Sequence, residues 1–127
     1  MPGLPWTART QPDPDTTYVV MGTYLPLRGY RYIPRFLGDS MKVRRQLAGT
    51  DGLIGYALVA HLGKKEFLTV SAWESREALD RFSRSAPHAT ITRTKPKRMG
   101  PWKFRTWSAT GAELPISWDT VRAHLAS

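Results

Sequence analysis

Residues 67–88, FLTVSAWESREALDRFSRSAPH, change hydrophobic period partway along, and the change restricts the folds open to the whole chain. Phe67 to Trp73 is an apolar run rich in strand formers. From Glu74-Ser75 onward the apolar residues Ala78, Leu79 and Phe82 follow helical spacing. Ser75 is placed to cap that helix, because its hydroxyl can accept from the first free backbone N–H groups. Glu77 lies in the first turn, where the helix dipole favours an anion. The helix is predicted to stop before Pro87, whose ring pushes Ala86 out of the helical region. His88 stands just past that break.

The remaining segments arrange themselves around this strand-to-helix unit. Residues 1–15 hold four Pro and one Gly, and read as a flexible arm, with Trp6 as its one adhesive side chain. Tyr18–Leu25 is β-branched and aromatic and reads as the first strand of a domain spanning 16–127. Pro34 fits the first turn of a helix running to about Leu47, with Ile33, Phe36, Leu37, Met41 and Leu47 largely on one side. Gly49 suits the position after it. Leu53–Leu62 is nearly continuous in apolar residues, as in a strand covered on both faces. Alternation puts His61 on the face of Leu53, Gly55, Ala57 and Val59. Gly63-Lys64-Lys65 then turns tightly into the strand at Phe67, making a hairpin. A short helical segment and the loop Thr94–Gly100 follow His88. Pro101–Thr110 alternates Trp102, Phe104 and Thr106 against Lys103, Arg105 and Trp107, and reads as the fourth strand. Ser117 caps a last helix, Trp118 to Leu125, with Ile116 and Val121 at the spacing of a hydrophobic staple.

The order is β-α-β-β-α-β with a C-terminal helix. It predicts an α+β, ferredoxin-like fold with a four-stranded antiparallel sheet. Two helices on one face leave the other face bare, and an apolar bare face calls for a ligand or a second copy of itself. A homodimer closed sheet to sheet is therefore expected.

A chain of 127 residues has the size of one domain, and no apolar run approaches the roughly 20 residues of a membrane span. The N-terminus lacks the apolar core of a secretory signal, so a cytoplasmic protein is expected. With no Cys, the sequence excludes disulfides, thiolate metal sites and a Cys nucleophile. The net charge of +9 is concentrated: residues 81–112 hold eight basic residues and no acid. Such a window is either a solvated face or an attractor of anions. Binding to nucleic acid is the least favoured of its readings, since the aromatic strand motifs of RNA-recognition sheets are missing.

His88, at a helix break beside the basic window, is the first candidate for proton transfer, and His61, at a strand end, is the second. His124 reads as an exposed helix residue. Tyr24, Tyr56, Trp73, Trp102, Phe104 and Trp107 are candidates to line a pocket for a flat substrate, with Arg105 holding its negative charge. Tyr30 and Tyr32 are placed to gate its mouth. No phosphate loop, dinucleotide fingerprint or nucleophile elbow is present, nor any metal-ligand spacing.

Trp73-Glu74-Ser75, Ala78-Leu79-x-x-Phe82 and Ser85-x-Pro87-His88 resemble the antibiotic biosynthesis monooxygenase superfamily, whose fold is the dimeric α+β barrel. With Pro101-Trp102, they look most like the spheroidene-monooxygenase-related proteins within it. The resemblance spans about Tyr18 to Leu125. It implies a homodimer acting on an aromatic or polyketide-like small molecule inside an apolar barrel, in secondary metabolism. It also implies oxygenation without a cofactor, with His88 or His61 as base, and a non-catalytic ligand-binding role as the alternative. Several families of this fold bind haem through a His. The haem-degrading branch has its ligand about three residues beyond the position of His88, where this chain has Ile91 and Thr92, so no cofactor is favoured and haem through His88 is the remaining possibility.

Overall fold

Five antiparallel strands in the order β1-β3-β4-β2-β5 form the sheet in a computed structural model that describes residues 3–27, 29–84 and 103–126. The strands are β1 (Gly3–Ala8), β2 (Thr17–Pro26), β3 (Leu53–His61), β4 (Glu66–Trp73) and β5 (Lys103–Thr110). The helices are α1 (Ile33–Ala48), α2 (Arg76–Arg84) and, after β5, α3 (Trp118–Ala126). The ferredoxin-like order and the C-terminal helix are as the sequence predicts. The segment after Arg84, including His88 and the loop Thr94–Gly100, lies outside the described residues.

The locally encoded elements follow their signals. The Ala78 N–H donates to the Ser75 hydroxyl at 3.2 Å, so Ser75 caps α2. The Thr120 N–H donates to the Ser117 hydroxyl at 3.2 Å, and Ile116 and Val121 are both buried, which completes the staple on α3. The β3–β4 hairpin turns through Leu62–Lys64, with Lys65 at φ 57. The glycine with positive φ after α1 is Gly52 (φ 86) rather than Gly49, because the turn into β3 presses its backbone against Ala78.

One face of the sheet carries α1 and α2. Val43, Leu47, Ala78, Leu79 and Phe82 pack there on Val19, Met21, Leu53, Tyr56 and Trp73. Trp73 is fully buried, tilted against Phe82 at 5.2 Å, and its indole N–H donates to Ser71. Farther along, Ile33 joins Leu25, Leu58, Ala60 and Phe67.

The opposite face is not bare, as the sequence had suggested. α3 lies across it, and Val121 and Leu125 are buried with Tyr18, Val20, Val59, Leu68, Val70 and Ala109. A nine-residue helix is marginal alone in water. Burial of each large aliphatic side chain contributes about 1.5–3 kcal/mol, so the sheet, more than intrinsic propensity, holds this helix. Gly22 lets it approach closely: a Cβ there would sit 3.1 Å from both the Trp107 ring and Val121.

Two further departures concern β3. The sheet has five strands instead of four, because Gly3–Ala8, within the segment read as a flexible arm, pairs with β3. Trp6 lies over Gly55, where an added Cβ would meet its indole at 2.5 Å, so the adhesive side chain has a slot of matching depth. The arm continues past β1: the Asp13 N–H donates to the Tyr18 hydroxyl, and the Gly111 N–H donates to the Thr16 carbonyl. Second, the register slips between Leu53 and Gly55. This bulge puts Leu53 with the helix-side cluster and Ile54 with the opposite one, reversing the predicted alternation at those two positions only.

Trp6→Ala is expected to lower stability by about 2 kcal/mol and the melting temperature by about 8 °C, since it empties a half-buried indole site. Thermal unfolding by circular dichroism checks this. An unchanged melting temperature would detach β1 from the fold.

Candidate functional site

Where β2 ends and the β3–β4 hairpin turns, a cleft of about 280 Å3 opens beside the last turn of α3. Its apolar lining is Leu68 from β4 and Leu125 and Ala126 from α3. Tyr24, His61 and Glu66 reach it from three adjacent strands, and Lys64, Lys103 and Arg122 bring positive charge to its walls. Strand register explains the convergence. His61 faces Glu66 across the hairpin, and Tyr24 faces Lys103 across β2 and β5. Arg122 arrives because α3 is fixed by its neighbour Val121.

Two hydrogen-bonded pairs dominate the polar part. The Tyr24 hydroxyl donates to Glu66 Oε2 at 2.8 Å. This bond, then desolvation and the nearby carboxylate charge, hold the Tyr24 phenol above its ordinary value of 10.0, so it serves as a donor and not as a base. Arg122 Nη2 stands 2.8 Å from His61 Nε2. A guanidinium can only donate, so Nε2 accepts and the imidazole carries its proton on Nδ1.

The candidates from sequence divide sharply. Tyr24 and His61 meet in the cleft. Tyr56 and Trp73 instead lie in the core beneath α1 and α2, on the other side of the sheet, and do not line it. Phe104 points to the helix-bearing side at the sheet edge and is 48% exposed. Arg105 is exposed on β5 and donates to the Phe104 carbonyl. Trp107 is packed under α3, where it stacks on His124 at 3.9 Å between ring centroids. His124 is thus half-buried rather than exposed. The Tyr30 hydroxyl donates to the Gly63 carbonyl and ties the start of α1 to the hairpin turn. His88, Trp102 and the Tyr32 side chain lie outside what is described. Glu66, Lys64 and Arg122 were not singled out in the sequence. The first two adjoin the hairpin turn and could have been found from it. Arg122 had no local signal, because its partner is 61 residues away.

Among the described residues, no three His, Asp or Glu side chains gather to hold a metal ion, and no helix is long and apolar enough to cross a membrane. Of the basic window, Arg81, Arg84, Lys103 and Arg105 are described, and all four are exposed.

Residues 37–94 match the family model described as antibiotic biosynthesis monooxygenase, so the resemblance read around Trp73-Glu74-Ser75 holds at family level. No match singles out the spheroidene-monooxygenase-related subclass. SnoaB, a cofactor-independent oxygenase from Streptomyces nogalater, shares the fold with a TM-score of 0.62 at 10% identity, over 74% of this chain and 94% of that one. The protein SO0527 from Shewanella oneidensis aligns with a TM-score of 0.64 at 11% identity, over 83% and 97%. Rv0793 from Mycobacterium tuberculosis gives 0.57 at 20% identity, over 72% and 93%. No curated protein sequence matches.

The Tyr24–Glu66 bond has a defined pH signature. Because the folded phenol value is raised, the bond's contribution is fully present below the unfolded value near 10.0 and is lost as pH rises through the folded one. The near-ultraviolet phenolate band, taken as the difference from Tyr24→Phe, should show Tyr24 ionising above the ordinary range. Glu66→Gln should move that midpoint down, since it removes the largest cause of the shift.

Proposed function

We propose that this chain is a small-molecule oxygenase of the antibiotic biosynthesis monooxygenase type, acting without a cofactor on a flat aromatic or polyketide-like compound in secondary metabolism. One observation carries the reading. The cleft sets an apolar floor, Leu68 and Leu125, between a carboxylate–phenol pair and a histidine–guanidinium pair. That combination suits a planar substrate whose oxygen becomes negatively charged during reaction. The match over residues 37–94 and the likeness to a cofactor-independent oxygenase support the same class.

In the reaction so proposed, a base removes a proton from an acidic phenol or an anthrone-like CH2. The resulting carbanion gives its electrons to O2. One oxygen atom ends in the product carbonyl and the other leaves as water, so the substrate is the only reductant. Lys103 and Arg122 stand where they can hold the oxyanion. The base role falls first to His88 and second to His61, whose Nε2 must let go of Arg122 before it can accept a proton. Oxygen uptake with a panel of anthrones and polycyclic phenols, with labelled O2 traced into the product, tests the class. His88→Ala should lower kcat by about a hundredfold or more if it is the base. No uptake with any member of the panel would leave the protein a ligand binder.

That second reading, a non-catalytic ligand-binding protein, is favoured by the engagement of His61 Nε2 with Arg122. Haem would use His88. A visible spectrum of purified protein with a Soret band would move the proposal to the haem branch.

A cytoplasmic homodimer completes the proposal. With the second sheet face covered by α3, its support shifts to β5, an outer strand with Phe104 exposed. Sedimentation at micromolar concentration should give a species of twice the chain mass, and a stable monomer would refute it.

A further inference from the structure

The charges of the cleft are unbalanced by more than one developing oxyanion requires. Three cationic side chains, Lys64, Lys103 and Arg122, border it against one carboxylate, Glu66. Among the described residues, none of the three forms a salt bridge. Glu66 accepts from the Tyr24 hydroxyl instead of from an ammonium. Arg122 spends a donor on an uncharged imidazole nitrogen, although the guanidinium geometry best fits a carboxylate. One of its five N–H groups is so occupied, which leaves four for a ligand.

The setting strengthens each such interaction. Leu68, Leu125 and Ala126 make one side of the cleft apolar, so an anion seated there loses water on that side and feels the cations more strongly. His61 restrains Arg122 from below and removes much of the freedom that a long side chain would otherwise lose on binding. Volume limits the rest of the ligand. At about 280 Å3 the cleft lies just below the range of about 300–1,000 Å3 for small-molecule sites, which favours a compact ligand.

We propose that the cleft selects flat aromatic carboxylates, with Arg122 as the residue that reads the carboxylate and His61 as the residue that positions Arg122. This rests on the reading of the cleft as a small-molecule site, and names the substrate class for it. In this arrangement the carboxylate faces Arg122 and the lysines, the rings lie on Leu68 and Leu125, and the free oxygen of Glu66 accepts from a ring hydroxyl. A neutral isostere of the same shape meets three unpaired cations and gains nothing from them.

The test uses 2-naphthoate and its uncharged isostere 2-naphthamide, titrated into the full chain by calorimetry. The parent is expected to bind 2-naphthoate at least about tenfold more tightly than the amide, the worth of a charge-assisted hydrogen bond. Arg122→Gln should erase that preference by weakening the naphthoate alone, and Arg122→Lys should restore part of it. His61→Phe should weaken naphthoate binding and leave the amide unaffected, whereas a merely structural His61 would weaken both. Arg122 is exposed on its helix, so its variants should keep the parent's melting temperature. Equal affinities for the two probes in the parent, no saturable binding of either, or a preference that survives Arg122→Gln would each overturn the proposal. The outcome is separable from the oxygenase reading: a naphthoate preference without oxygen uptake upholds the acid site and refutes the oxygenase. Oxygen uptake without the preference does the reverse.

Discussion

Val121 resting on Gly22 is the contact on which the second half of this structure depends. Val121 has no exposure, and Gly22 offers no side chain, so the C-terminal helix lies close on the sheet, where an added Cβ would be only 3.1 Å from Val121 and the Trp107 ring. With the helix at that depth, Leu125 reaches Leu68, Trp107 is sandwiched against His124, and Arg122 comes level with the end of β3. The cleft opens beside the last turn of that helix, against Leu125 and Ala126. An added methyl at position 22 would require Val121 and the Trp107 ring to give by a few tenths of an ångström. Fold and site are therefore coupled through one glycine.

The two ends of the chain cooperate in covering that face. Trp6 fills the slot above Gly55 and the C-terminal helix fills the dip above Gly22, so a surface that reads as bare from four strands and two helices is covered by the flanking segments. Each filler matches a glycine, which is how a sheet makes room for an indole or a close helix without bending. The homodimer argument changes accordingly. A partner is no longer needed to hide the central strands, and among the described residues the outer strand presents apolar surface at that edge through its exposed Phe104.

What could be read from the sequence was what is encoded locally. Ser75 and Ser117 announce their helices because a cap and the N–H it satisfies are three residues apart. The β3–β4 hairpin was visible because its turn and both runs are contiguous. Periodicity also separated the two faces of β5 correctly. It does not say which face the helices will take, and so Tyr56 and Trp73, aromatic residues on a strand, read equally well as pocket lining or as core. The bulge at Ile54 was marked only by Gly55 beside it, and a glycine within a strand signals a bulge or a close approach alike. Gly3–Ala8 looked like an arm because its reason to be a strand, the free edge of β3 and the slot at Gly55, lies some fifty residues away. The His61–Arg122 pair was hidden for the same reason, since neither residue has a neighbour in sequence that calls for the other.

The walls of the cleft come from different parts of the chain. His61, Lys64, Glu66 and Leu68 fall within residues 37–94, the segment that matches the family model, while Tyr24, Lys103, Arg122 and Leu125 fall outside it. The hairpin half of the cavity thus travels with the shared frame, and the half that carries two of the three cations does not. Two proteins alike over the matched segment can consequently differ in the other half of this lining, with no change to the hairpin that supports the first half. The match over residues 37–94 therefore bears on the frame and on one half of the cleft lining.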